Sequence, residues 1–219
     1  MTTPRDTQDL IESLAADLSP ARPGTVPLRI AASAAVGGAV ALGLVLVFLG
    51  LRPDLRQVAA GDMMFWMKAG YAVVLGLAGF WSAERLARPA GSGRGGFLLM
   101  ALALGMVILF AAIRMMRMPP EMRMPMWLGQ SWDVCPIRIL MLSIPTLALA
   151  LLVMRRLAPT RLTLAGAAAG LFAGGVAAAA YGLHCTETGA AFLATWYSLG
   201  VALSAALGAL LGPWALRWR

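Results

Sequence analysis

The sequence predicts an all-α membrane protein: six transmembrane helices as three consecutive hairpins, preceded by a short cytoplasmic N-terminal amphipathic helix. Three observations carry that prediction. Of 219 residues, 60% are hydrophobic and only 13% are charged, against about a quarter charged in an ordinary soluble domain. Mean hydropathy is +0.77; a soluble core at this length cannot hide so much apolar surface, whereas a bilayer can. Six apolar runs are each long enough, at about 1.5 Å per helical residue, to cross or nearly cross roughly 30 Å of hydrocarbon.

The N-terminal residues 1–27 form a separate soluble segment. They carry Asp6, Asp9, Glu12 and Asp17 and lack the apolar stretch of a secretory signal, so the N-terminus is expected to stay in place. Across residues 7–18, Leu10, Ile11, Leu14 and Leu18 fall on one helical face, with Asp9, Glu12 and Asp17 elsewhere. Asp6 or Thr7 can cap the start, and Ser19-Pro20 ends it. So short a helix is marginal alone in water, and something must cover its apolar stripe. A membrane surface is one candidate. Membrane-surface helices usually present basic polar faces, however, and this one is acidic. A basic protein partner docked helix-in-groove fits better.

Residues 28–219 form the membrane domain. The first apolar run, 28–51, is free of charge after Arg29 and is followed by the polar break Arg52-Pro53-Asp54-Leu55-Arg56. The second span, 65–83, carries only Lys68 near its start, where the side chain can snorkel. A linker rich in Gly and Arg occupies 84–96, and 97–113 is the third span. A long loop, 114–135, precedes the fourth span, 136–154, in which Pro145 should introduce a kink. A basic turn at 155–161 leads to the fifth span, 162–183, and the sixth is 192–211. In the fifth, Gly166, Gly170 and Gly174 repeat at four-residue spacing, which suits close helix packing.

The basic residues choose the orientation. The net charge of +8 comes from 17 arginines and Lys68. In a membrane protein such an excess usually sets topology and is weak evidence for nucleic-acid binding. With six spans, Arg5, Arg22, Arg29, Arg85, Arg88, Arg94, Arg155, Arg156, Arg161, Arg217 and Arg219 share one side with both termini. Arg52, Arg56, Lys68, Arg114, Arg117, Arg123 and Arg138 lie on the other. The eleven-to-seven bias predicts cytoplasmic N- and C-termini. All seven Trp fall near span ends or in outer loops, as interfacial aromatic belts do.

Cys135 and Cys185, the only two cysteines, fall at the outer ends of spans. Cys135 precedes Pro136 at a helix N-terminus, where the dipole favours thiolate. If the outer side is a periplasm, a disulfide is permitted there; closing that loop would restrict the unfolded chain by roughly 4 kcal/mol in the entropic account. The pair reads either as a static staple or two small apolar side chains, or as a switch responsive to redox state or metal. His184, Glu187 and Asp133 could add ligands for a transient heavy-metal ion, although no spacing fixes such a site. The outer loop also carries Met115, Met116, Met118, Met122, Met124 and Met126, with Met63, Met64 and Met67 on the same side. Thioethers can bind Cu(I), but a flexible apolar loop at the interface accounts for them more simply. There is no phosphate-binding loop, His-Glu-x-x-His or serine elbow. The spans hold almost no ionisable groups, which leaves no obvious ion path. No enzymatic activity and no resident cofactor are expected.

Several segments together resemble the NrsF-type family of bacterial membrane anti-sigma factors: residues 10–23 (LIESLAADLSPARP), residues 50–55 (GLRPDL), Cys135-Pro136 entering a span that ends in Arg155-Arg156-Leu157-Ala158-Pro159, and His184-Cys185 ahead of Phe192 and Trp196-Tyr197. The resemblance spans nearly the whole chain, and the order and spacing of the motifs give it its specificity. It implies six spans in the inner membrane and no catalysis. It implies a cytoplasmic segment, here 1–27 with Asp9, Leu10, Ile11, Leu14, Asp17 and Leu18, that holds an extracytoplasmic-function sigma factor at the membrane. It also implies that the periplasmic cysteines, here Cys135 and Cys185, sense oxidants or heavy metals. The Met-rich loop lies outside that pattern. Two alternatives stay open: a small metal-handling transporter or binding protein using the outer Met and Cys residues, and a structural assembly protein.

Overall fold

The computed structural model describes residues 4–16, 25–89, 91–157 and 159–217, and every regular element among them is helical. Helix α1 spans Pro4–Ala16. The helix already includes Pro4, ahead of the Asp6 or Thr7 cap that the sequence suggests. Asp17, Leu18, Ser19, Pro20, Arg22, Ala158, Trp218 and Arg219 lie outside the described residues.

Six helices are long and apolar enough to cross a membrane: Thr25–Leu49, Met63–Leu86, Arg94–Met116, Cys135–Arg155, Leu162–Tyr181 and Ala190–Ala215. The first comprises α2 (Thr25–Leu44) and a π-turn at Val45–Leu49, stopped by Gly50 at φ 76°. Short α3 (Leu55–Gly61) leads into α4 (Met63–Leu86), whose first turn is capped by Asp62 Oδ1 accepting from Met64 N at 2.8 Å. Helix α5 is Arg94–Met116. Helix α6 (Pro120–Leu128) occupies what the sequence reads as plain loop; Pro120 opens it and Gly129, at φ 61°, closes it. Helix α7 is Cys135–Arg155 and continues through Pro145; α8 is Leu162–Tyr181. The last span joins α9 (Ala190–Phe192), a π-turn (Leu193–Tyr197) and α10 (Ser198–Ala215).

Helix α8 is the centre of the bundle. It packs against α10, α4 and α7, and thirteen of its twenty residues are buried. Its glycines explain why three helices can crowd it. A Cβ at Gly208 of α10 would run into the Gly166 carbonyl, one at Gly170 into the Ser204 carbonyl, and one at Gly79 of α4 into the Phe172 backbone. Small residues thus let backbones touch where apolar side chains gain nothing over lipid. Helix α2 rests mainly on α7 and only lightly on α4, with Gly37 pressed against Thr146. Helix α5 leans on α4 and leaves Leu98, Leu102, Met106 and Leu109 exposed, as a lipid-facing helix would.

Candidate functional site

The site lies at the end of the bundle that holds both cysteines, and its hub is the loop 182–189. Leaving α8, the chain turns sharply: His184 N and Cys185 N both donate to the Tyr181 carbonyl at 3.0 Å. That turn tucks Cys185 inward, where it joins Cys135 of the first turn of α7; both are buried and both thiols are free. The two side chains belong to one buried cluster. The structure therefore brings together two residues that are 50 apart in sequence (185 − 135).

The loop is tied to three other parts of the chain. From the turn after α2, Arg52 N donates to the Leu183 carbonyl at 3.0 Å, and the Arg52 guanidinium reaches the Cys185 carbonyl at 3.4 Å. From α4, Lys68 Nζ donates to the carbonyls of Cys185 at 2.9 Å and Glu187 at 3.2 Å, and lies 5.1 Å from the centre of the Tyr197 ring. From the approach to α7, Gln130 N and Ser131 Oγ donate to Glu187 Oε1 at 2.7 and 3.3 Å. His184 Nδ1 sits 2.9 Å from the Gly50 carbonyl, so it must donate there; Nε2 is then free to accept from Arg138 at 3.3 Å. A cavity of about 300 Å³, lined in part by Arg52, Ser131, Arg138, Tyr181 and His184, opens onto Cys185.

Positive charge dominates around Cys185. The Cys135 side chain, as hydrogen-bond donor, holds the Cys185 thiol below its ordinary range, and Lys68 adds to this against the opposing effect of burial. Asp54 neutralises Arg52 through Nε and Nη2 contacts of 2.7 and 2.8 Å; that hydrogen bonding lowers the Asp54 carboxyl and raises the guanidinium. Lys68 makes no ion pair among the described residues; the carbonyl oxygens of Cys185 and Glu187 and the Tyr197 ring surround it. Lys68→Met should leave two carbonyls short of a donor and destabilise the bundle by about 2–4 kcal/mol. Thermal unfolding in detergent checks this, with Lys68→Arg expected to recover part of the loss.

The other residues singled out in the sequence fall as follows. Asp9, Leu10, Ile11 and Leu14 lie on α1, all exposed. His184 lies beside the cysteines, but its ring faces Gly50 and Arg138. Among the described residues no group of three or more His, Cys, Asp or Glu side chains is placed to hold a metal ion. Met64 and Met115 pack with Trp127 against Ala111, Ala190 and Ala191, whereas Met63, Met116, Met122 and Met124 are exposed. Trp196 clamps α6 to the sixth span: its Nε1 donates to the Trp127 carbonyl at 2.9 Å, and its ring lies 5.5 and 5.3 Å from those of Trp127 and Trp132.

Sequence reasoning missed Lys68, Arg52 and Arg138 as parts of this site. Lys68 does not snorkel to the surface; it is 5% exposed and points into the bundle. The available signal was its position, because an ionisable residue within a span tends to face the protein interior and a partner there.

Comparison with known proteins places this architecture. Residues 14–218 match a family described as "Negative regulator of sigma F". The chain is 48% identical over 214 residues to the anti-sigma-F factor NrsF of Caulobacter vibrioides, covering 97% of this chain and 99% of that protein. It is 40% identical over 216 residues to the probable anti-sigma-F factor NrsF of Azospira oryzae, with the same coverage of 97% and 99%. No solved structure matches it. A match that runs from α1 to the end of the last span, with relatives aligned over nearly their whole length, shows that this chain belongs to the NrsF family of negative regulators of sigma F.

Proposed function

We propose that this chain is an anti-sigma factor of the bacterial inner membrane. It captures an extracytoplasmic-function sigma factor through its cytoplasmic N-terminal segment and releases it when Cys135 and Cys185 meet a periplasmic oxidant or heavy metal. The observation that carries the reading is the family match across 14–218. The exposed apolar residues of α1 and the clustered thiols at the far end of the bundle support its two halves.

The chemistry asked of the thiols is simple. With a two-electron oxidant such as a peroxide, one S–S bond forms, the O–O bond breaks, and both thiol protons leave with the reduced oxidant as water. With a soft metal ion, two thiolates bind and the protons pass to solvent. Either event must reach α1. The ties from His184 to the Gly50 carbonyl and from Leu183 to Arg52 fasten the cysteine loop to the end of α2, and α2 is the span whose other end leads to α1. Movement of the loop would therefore shift α2 against α7.

A pull-down in detergent tests the reading. Candidate sigma factors are offered to the full chain and to a form lacking residues 1–20. Capture by the first and not the second is expected; capture by neither overturns the proposal.

A further inference from the structure

The end of the bundle opposite the cysteines carries a second cavity. Arg29 in the second turn of α2 and Arg155 and Arg156 at the end of α7 line one open cleft of about 720 Å³, walled by Leu149, Leu152 and Val153. All three guanidinium-bearing residues are exposed, and none of their side chains has a hydrogen-bond or ion-pair partner among the described residues. Among the described residues no acidic side chain lines the cleft. Three uncompensated cations converging on one space ask for an anion, and the planar guanidinium fork suits phosphate.

The apolar wall says what kind of anion. Leu149 precedes Arg155 by six residues (155 − 149), which sets it about 9 Å further along the helix. With the arginines at headgroup depth, that wall lies in hydrocarbon. A free phosphate would leave it uncovered, and a protein docking from water could not enter the bilayer to cover it. A ligand with a phosphate above an acyl chain meets both demands at once.

We infer that this cleft binds an anionic phospholipid, its phosphate held by Arg29, Arg155 and Arg156 and one acyl chain lying along Leu149, Leu152 and Val153. The inference rests on the bilayer placement proposed above and not on sigma capture. The bound lipid would sit where α2 enters the membrane, beside the segment that leads to α1.

The test uses the full chain, purified in neutral detergent and exchanged into equal phosphatidylglycerol and phosphatidylethanolamine, with retained lipid counted by native mass spectrometry. Wild type should keep phosphatidylglycerol selectively. The triple variant R29A/R155A/R156A should lose that selectivity by on the order of a hundredfold, each basic side chain near an anionic surface contributing roughly fivefold. The corresponding triple lysine variant should keep most of it. Leu152→Trp, which fills the wall and spares the arginines, should lower retention without altering charge. Equal retention of the two lipids by wild type, unchanged selectivity in the triple alanine variant, or displacement by inorganic phosphate as effective as by added phosphatidylglycerol would each overturn the site. Recovery of the chain from the soluble fraction would instead overturn the bilayer placement.

Discussion

Leu14→Asp is expected to abolish the proposed sigma capture while leaving the bundle folded. Leu10, Ile11 and Leu14 are 57%, 60% and 63% exposed, so a carboxylate at position 14 displaces no packing within the chain. In a helix-in-groove complex the same position sits in the middle of the apolar stripe. Losing the burial of one leucine costs roughly 1.5–3 kcal/mol, and forcing an unpaired carboxylate into the groove costs several kcal/mol more. Together they should weaken binding by more than about a hundredfold. Titration of the sigma factor onto detergent-solubilised protein measures the affinity, and thermal unfolding of the same sample reports the fold. Unchanged affinity with an unchanged melting temperature would rule out α1 as the docking element.

On the proposed reading, Cys185→Ser should produce a protein that still holds its sigma factor but does not release it on thiol stress. A serine hydroxyl can take the place of the Cys185 side chain opposite Cys135 and leaves the backbone carbonyl bonds to Lys68 and Arg52 intact, so the loop should keep its position. Serine cannot form a disulfide and binds soft metals poorly. Cys135→Ser should behave alike, because each thiol needs the other. A sigma-dependent reporter, challenged with a peroxide or with cadmium, should fall from full induction to background in either variant. A double Cys→Ser strain that still induces would place the sensor elsewhere, with the exposed methionines next to be examined. Comparison with Lys68→Met separates chemistry from scaffolding, since that change spares both thiols and weakens the loop that carries them.

The sequence showed the membrane architecture well because apolar runs are long and nearly free of charge. All six long helices lie where those runs lie. Some ends extend further, as at Glu84–Leu86 and Arg94–Gly96, because charged and glycine residues at headgroup depth continue the helix without entering hydrocarbon, whereas the first and fifth stop two residues short, at Leu49 and Tyr181. The four-residue glycine spacing marked α8 as a packing helix but did not name its partners, which depend on Gly208 and Gly79 in distant spans. Short α3 and α6 were illegible, being too brief to show a period. At the site, both cysteines were visible as residue types, but their meeting was not. Nor was the conversion of Lys68 from surface cation to loop anchor, since that depends on which face of α4 turns inward. Asp17 and Leu18 fall outside the described residues.

The central position of α8 has a consequence for synthesis. Ribosomes deliver α1 first and α8 fifth among the spans. Helices α2 and α4 have little to hold each other; their main supports are α7 and α8, which come much later in the chain. Apart from α4 and α5, which pack on each other, the early spans must therefore wait in the bilayer as lipid-solvated helices, as membrane helices can, until α7 and α8 arrive to gather them. The segment that would seize a sigma factor is thus complete long before the thiol pair that would command its release.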